Sequence, residues 1–291
     1  MKPRLSPIVA GCWRLHEWGW SIEQRLRWIG RCVELGVTSF DHADIYGGHT
    51  VEGLFGEALR RAPELRQRIQ LVSKCGIVLR SPWREQLRVK HYDSSPAHIR
   101  ASVERSLREL ATDHLDLLLL HRPDLLMQPE EVAEAFRALQ REGKVLAFGV
   151  SNHSPSQFAL LQRHHALATN QIEFSPLSMA ALADGTLEQA LDLGLPPMIW
   201  SPLASGRLFD AQGDTQVQRV RAVLEAQGRP RGVSAATMAY AWILRHPSRP
   251  IPIAGTRRIE ALREAVAALS VQLSPEDWYE VWQASMGHEV A

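Results

Sequence analysis

Apolar residues along this chain come in two alternating patterns: short continuous runs, and longer stretches with helical spacing. The runs are Pro7–Gly11, Val37–Ala43, Ile69–Lys74, Leu115–Leu120, Leu146–Val150, Ala168–Phe174, Met198–Trp200 and Pro250–Ala254. Each is too short for a helix, and Leu115–Leu120 is nearly continuous in apolar residues, as expected of a strand covered from both sides in a parallel sheet. Between them lie helical stretches. Ser21 precedes Ile22, Leu26, Ile29, Cys32 and Val33 at helical spacing, and Gly36 closes that segment. Glu52–Arg61, the Ser95-Pro96 segment with Ile99, Val103, Leu107 and Leu110, a helix opening at Pro129 and another capped by Ser154-Pro155 follow. Thr186–Leu193, Ser234–Arg245, Ile259–Leu269 and Pro275–Ser285 complete the set. The stretch 78–94 is polar and without period. Strands alternating with helices predict a parallel sheet, and eight such repeats favour a closed (β/α)8 TIM barrel over an open doubly wound sheet. No G-x-G-x-x-G follows a strand, so the dinucleotide fingerprint of the open fold is missing. Residues 1–291 read as one barrel domain.

Polar residues become informative where the strands end, because barrels of this kind carry their chemistry at the C-terminal ends of the strands. Those positions hold Asp41 and Tyr46, Lys74, His121, Ser151 and Asn152, Gln171, Ser201, and Thr256 with Arg257 and Arg258. Lysine is scarce, with only Lys2, Lys74, Lys90 and Lys144, and Lys74 closes an apolar strand. A lysine there is paired or functional. Asp, Tyr, Lys and His together suit proton transfer: the lysine favours the phenolate, the carboxylate holds the lysine charged, and the imidazole orients a carbonyl. Singly, each residue has a blander reading. Asp41 or Asp44 would cap the turn at Gly47-Gly48, His121 would bond a carbonyl, and Ser151-Asn152 and Ser201-Pro202 would form turns.

Composition narrows the field. A net charge of +1 gives no field for nucleic acid or an anionic membrane. Three scattered cysteines match neither a disulfide framework nor a zinc pattern and suit a reducing compartment. The histidines lack ligand spacing, so no metal is expected. Met1-Lys2-Pro3-Arg4 is not followed by an apolar segment, so no signal peptide is expected, and no run reaches the ~20 apolar residues of a membrane helix. A cytoplasmic monomer or weak oligomer is the expectation.

Taken in order, Phe40-Asp41-His42-Ala43-Asp44-Ile45-Tyr46-Gly47, Val72-Ser73-Lys74, Asp116–His121, Gly149-Val150-Ser151-Asn152, Asn170-Gln171 and Trp200–Gly206 resemble the aldo-keto reductase superfamily over nearly the whole chain, most closely a bacterial branch of NADPH-dependent oxidoreductases. The resemblance implies reduction of aldehydes or ketones by hydride from NADPH, with a tetrad of Asp41, Tyr46, Lys74 and His121 and Tyr46 as general acid. It further implies that Ser151, Asn152 and Gln171 hold the nicotinamide carboxamide and that Trp200 stacks on the ring. Ser201, Leu203 and Arg207 would meet the pyrophosphate, and Gly255, Thr256, Arg257, Arg258 and Glu264 the adenosine end, where an arginine pairs with the 2′-phosphate. Where relatives often carry Glu-Asn, this chain has Glu264-Ala265. Its tail is short, so the loop bearing Trp13, Trp18 and Trp20 and the 78–94 loop are expected to wall the substrate site. Two other functions compete with this one: a Schiff-base aldolase or lyase on Lys74, and a catalytically weak NADPH-binding regulatory subunit.

Overall fold

The computed structural model describes residues 4–80, 87–210 and 212–291; the start of the chain, on which the absence of a signal peptide was read, and part of the 78–94 loop lie outside them. Eight parallel strands close into a barrel with helices between them, as the alternating pattern predicts. The chain divides into two compact units, residues 1–171 and 172–291.

The first unit runs β1 (Val9–Gly11), α1 (Ile22–Glu34), β2 (Ser39–Asp41), α2 (Val51–Arg61), β3 (Gln70–Cys75), a ribbon of β4 (Ile77–Val78) and β5 (His91–Tyr92), α3 (Pro96–Glu109), β6 (Leu117–Leu120), α4 (Pro129–Arg141), β7 (Phe148–Ser151) and α5 (Pro155–Gln162), and enters β8 (Asn170–Glu173). Three of these helices, α1, α3 and α5, begin at a serine. Ser21 and Ser154 form capping boxes with Gln24 and Gln157, and Ser95 accepts from His98 N–H, so each satisfies donors that a bare helix start leaves orphaned. The antiparallel pairing of β4 with β5 is new: Ile77 faces Tyr92 and Val78 faces His91. At two residues a side, this ribbon is too short to leave a periodic signal.

Register brings the strand ends together. β2 aligns Asp41 with Val72 of β3, β3 aligns Lys74 with Leu119 of β6, and β7 aligns Ser151 with Gln171 of β8. Side chains alternate along β3, so consecutive Ser73 and Lys74 point to opposite faces. Both are buried, and each faces a different polar cluster. Gly149 on β7 permits a close approach: a Cβ there would stand 2.7 Å from the Thr169 carbonyl oxygen and 2.8 Å from the Leu119 side chain.

The tryptophan loop divides between packing and exposure. Trp18 lies 4.7 Å from Trp20 and 5.1 Å from Trp28 of α1, and Trp28 meets Phe40 of β2 at 5.7 Å. Trp18 and Trp20 therefore cover α1, whereas Trp13 is 53% exposed beside Arg14.

The second unit contains α6 (Thr186–Leu193), β9 (Met198–Trp200), α7 (Thr215–Gly228), α8 (Ala235–Leu244), β10 (Ile251–Ala254), α9 (Ile259–Ala267) and α10 (Pro275–Met286). Asp214 caps α7, and Val217, Val220 and Leu224 are its buried stripe. This helix is an addition to the sequence reading. Trp242 and Trp278 stack at 4.9 Å, and each indole N–H donates to the other's backbone carbonyl. Among the described residues no helix is long and apolar enough to cross a membrane.

Candidate active site

In the first unit Lys74 is the centre. It reaches past an apolar strand to an ammonium only 1% exposed. Its Nζ lies 2.8 Å from both carboxylate oxygens of Asp41, 2.7 Å from the His42 carbonyl and 3.1 Å from Tyr46 Oη. A buried ammonium is costly unless paired and hydrogen-bonded, and here every donor has an oxygen. Burial works against the charge on Lys74, but Asp41 and Tyr46 more than offset it, and its pKa is held above the ordinary lysine value.

Asp41 ends β2 and is fixed from three sides. Besides Lys74, its Oδ1 accepts from Gln171 Nε2 at 2.8 Å, and its backbone carbonyl accepts from Cys12 N–H at 3.0 Å. Tyr46 sits in the turn between β2 and α2, where its N–H donates to the Ala43 carbonyl and Gly47 and Gly48 take left-handed φ of 58° and 64°. Those two glycines turn the chain away from the phenol at no steric cost. Lys74 lowers the phenol's pKa as expected, but burial outweighs it. Desolvation pushes Tyr46 above its usual value, and Lys74 opposes that only in part. The phenol is therefore protonated at neutral pH, the state in which it can donate.

His121 follows β6, and its N–H donates to the Cys75 carbonyl at 2.8 Å. Its ring stands edge-on to Tyr46, with centroids 5.8 Å apart. Burial and the nearby Lys74 charge hold the imidazole well below its ordinary pKa, so it is neutral. Its Nδ1 is buried without a hydrogen-bond partner among the described residues. Asp41, Tyr46, Lys74 and His121 thus lie together. His42 does not join them: its buried ring packs against Phe55 at 4.6 Å, and desolvation lowers its pKa to about 3.

Ser151 and Asn152 close β7. Ser151 Oγ donates to the Gln171 carbonyl at 3.0 Å, and Asn152 Nδ2 donates to Ser151 Oγ at 2.8 Å. Asn152 has a left-handed φ of 60°, a conformation seldom taken by residues other than glycine. It is held from the next residue: Asn170 Nδ2 donates to the His153 carbonyl at 2.7 Å and Asn170 Oδ1 accepts from His153 N–H at 3.3 Å.

The second unit carries the other sequence-predicted residues. After Trp200, Ser201, Ala204, Ser205 and Gly206 are all left-handed, the Ser201 and Ser205 hydroxyls are 2.8 Å apart, and Leu203 is half-buried. Arg207 is exposed, 3.8 Å from Asp214. Gly255, Arg257 and Arg258 are exposed between β10 and α9, and Thr256 Oγ1 accepts from Arg258 N–H at 3.1 Å. No side chain caps the first turn of α9. Its amide donors, two arginines and a hydroxyl form a donor set that fits a phosphate. Glu264 is half-buried on α9, its carbonyl accepting from Thr237.

With that geometry in place, comparison with known proteins defines the class. Residues 7–285 match the family model described as the aldo/keto reductase family, and the chain belongs to that family of oxidoreductases. Oxidoreductase YdhF of Escherichia coli is 47% identical, covering 99% of this chain and 96% of its own. A 6-dehydroglucose reductase of Agrobacterium fabrum is 44% identical, covering 100% and 97%. The crystal structure of an aldo/keto reductase from Klebsiella pneumoniae in complex with NADP and acetate shares 30% identity, covers 98% of this chain and 92% of its own, and superposes with a TM-score of 0.76.

Sequence reasoning missed the residues behind the site. Glu52 accepts from Ser73 Oγ at 2.6 Å and from Ser106 Oγ at 2.9 Å, and Arg105 donates to Asp44 Oδ2 at 3.0 Å. A glutamate in the first turn of an amphipathic helix ordinarily reads as a solvated helix-start charge, so nothing local announces its burial.

Proposed function

We propose that this chain reduces the carbonyl of a small aldehyde or ketone to the alcohol, with NADPH as hydride donor and Tyr46 as general acid. The observation that carries the reading is the Lys74 ammonium, bonded at once to the Asp41 carboxylate and the Tyr46 phenol inside a buried pocket of charge. As hydride adds to the carbonyl carbon, negative charge develops on its oxygen, and a protonated phenol neutralises it by giving up a proton. Lys74, already charged and in place, stabilises the phenolate left behind. Neutral His121 beside the phenol directs the carbonyl oxygen toward Tyr46 Oη. In the reverse direction the phenolate is the base.

NADP(H) supplies the hydride when bound. Ser151, Asn152 and Gln171 would hold its carboxamide and Trp200 its ring. Ser201, Leu203 and Arg207 would meet the pyrophosphate, and Gly255, Thr256, Arg257, Arg258 and Glu264 the adenosine end. Asp41 is shared between Lys74 and Gln171, so the group that orders the lysine also orders a carboxamide-binding side chain. The Schiff-base alternative needs a neutral, free lysine, and Lys74 is charged and enclosed by oxygens. The deciding experiment is NADPH oxidation across a panel of aldehydes, ketones and dicarbonyls, with 6-dehydroglucose included because of the Agrobacterium relative. Tyr46→Phe should abolish turnover while NADPH binding stays near normal. Retained turnover in that variant refutes the mechanism.

A further inference from the structure

Behind Lys74 and Tyr46 lies a second buried polar layer that the proposed chemistry does not use. Two consecutive residues of α3 reach two parts of the segment that carries Tyr46. Arg105 Nη2 donates to Asp44 Oδ2 at 3.0 Å, and Ser106 Oγ donates to Glu52 Oε2 at 2.9 Å. The other oxygen of Glu52 accepts from Ser73, the residue before Lys74, at 2.6 Å. Asp44, Glu52, Ser73 and Ser106 are all buried, and Arg105 is 27% exposed. The Asp44 backbone is fixed as well: its N–H donates to the Lys74 carbonyl at 3.1 Å, and its carbonyl lies 2.6 Å from His49 Nδ1. Asp44 and Glu52 therefore bracket Tyr46 in sequence, one tied to Lys74 and the other to its neighbour.

Such a cluster is a poor device for stability, because the cost of desolvating buried charges rivals their attraction, and apolar packing does as well. What a charge-assisted hydrogen bond offers that apolar packing lacks is direction. We propose that the Arg105–Asp44 ion pair, together with Glu52 bridging Ser73 and Ser106, is a positioning device that sets the placement of Tyr46 Oη against Lys74 Nζ. This rests on the reading of those two groups as the proton-transfer pair. The hydrogen bonds tie the start of the Tyr46 turn, the start of α2 and the end of β3 to one rigid helix, so the phenol's turn cannot shift independently of the lysine's strand. Asp44 and Arg105 touch no reacting atom; they act through the backbone.

The test uses the full chain with the best substrate of the carbonyl panel. The variants are Arg105→Met, Arg105→Lys, and Asp44→Asn combined with Arg105→Gln, which removes both charges without stranding one. Tyr46→Phe runs in parallel. Readouts are kcat, KM, the NADPH dissociation constant from quenching of protein fluorescence, and the urea midpoint. A misplacement of about 1 Å costs on the order of 100-fold in rate. The expected result is a loss of kcat of at least about tenfold in Arg105→Met and in the double variant, with KM and NADPH affinity within about twofold of wild type and partial recovery in Arg105→Lys. Unchanged kcat in the double variant, with only the urea midpoint lowered, reduces the cluster to a docking contact for α3 and overturns the proposal. Loss of turnover in Tyr46→Phe alongside that result overturns the positioning role alone, whereas retained turnover in Tyr46→Phe removes the mechanism on which it rests.

Discussion

Lys74 and the pair Arg257–Arg258 are cations close to the ends of barrel strands, and their surroundings differ in almost every respect. Lys74 is 1% exposed and enclosed by the oxygens of Asp41, His42 and Tyr46. The two arginines are exposed, beside the uncapped start of α9. The desolvation of Lys74 is complete before any ligand arrives, and its energy is part of folding. The desolvation of the arginines belongs to whatever anion meets them, and their energy is part of binding. A buried charge therefore declares a site from the fold alone, whereas an exposed one declares it only through a ligand.

That difference can be broken experimentally, beginning where the effect is largest. Lys74→Met should abolish turnover and also destabilise the protein by about 3–5 kcal/mol, because it leaves the Asp41 carboxylate buried without its cation. A urea midpoint equal to wild type would mean that Lys74 is not integral to the fold. Next comes Glu52, buried and pushed up to about 7 mainly by desolvation, with Asp44 adding to the rise and Ser73, Ser106 and Arg105 opposing it. Its folded-state pKa lies above the unfolded value of 4.5, so its contribution to stability is fully present below pH 4.5 and is lost as pH rises toward 7. The change amounts to about 3 kcal/mol. Glu52→Gln should therefore gain stability relative to wild type between pH 5 and pH 8 in urea titrations. Parallel curves for the two proteins would contradict this. The smallest effect on the fold is expected from removing Arg257 and Arg258 together. Stability should stay within about 0.5 kcal/mol, while NADPH should weaken on the order of tenfold more than NADH. An equal loss for both cofactors would remove the 2′-phosphate assignment.

The same division governs what was legible in the chain. The strands were legible as short runs set between helical segments, most plainly where the run is apolar throughout, as Leu117–Leu120 is. The helix starts were legible because Ser21, Ser95 and Ser154 satisfy local donors. Asp41, Tyr46, Lys74 and His121 stood out because polar groups at the ends of apolar runs are conspicuous. The β4–β5 ribbon was too short for a period. Helix α7 carries a local signal, the Asp214 cap and the Val217, Val220 and Leu224 stripe, but its apolar positions are interleaved with polar and charged ones. The layer behind the site was hidden for a different reason. Arg105 meets Asp44 across 61 positions, Ser106 meets Glu52 across 54, and Gln171 meets Asp41 across 130. Those pairings are made by tertiary packing and leave no local trace. The sign of the Tyr46 shift was hidden too, since neighbouring charge can be inferred from residue types but depth of burial cannot.

The Lys74 ammonium has more oxygen neighbours than hydrogens. An ammonium carries three hydrogens, and this one faces four oxygens, the two of Asp41, the His42 carbonyl and Tyr46 Oη. It is oversubscribed, and the phenol, at 3.1 Å against 2.7–2.8 Å for the others, has the smallest share. On the proposed mechanism the phenol oxygen gains charge just as it loses its proton, and the hydrogen it then needs is already at its side. The step becomes a reallocation among partners that stay where they are, with little of the solvent rearrangement that the same proton transfer would demand in water.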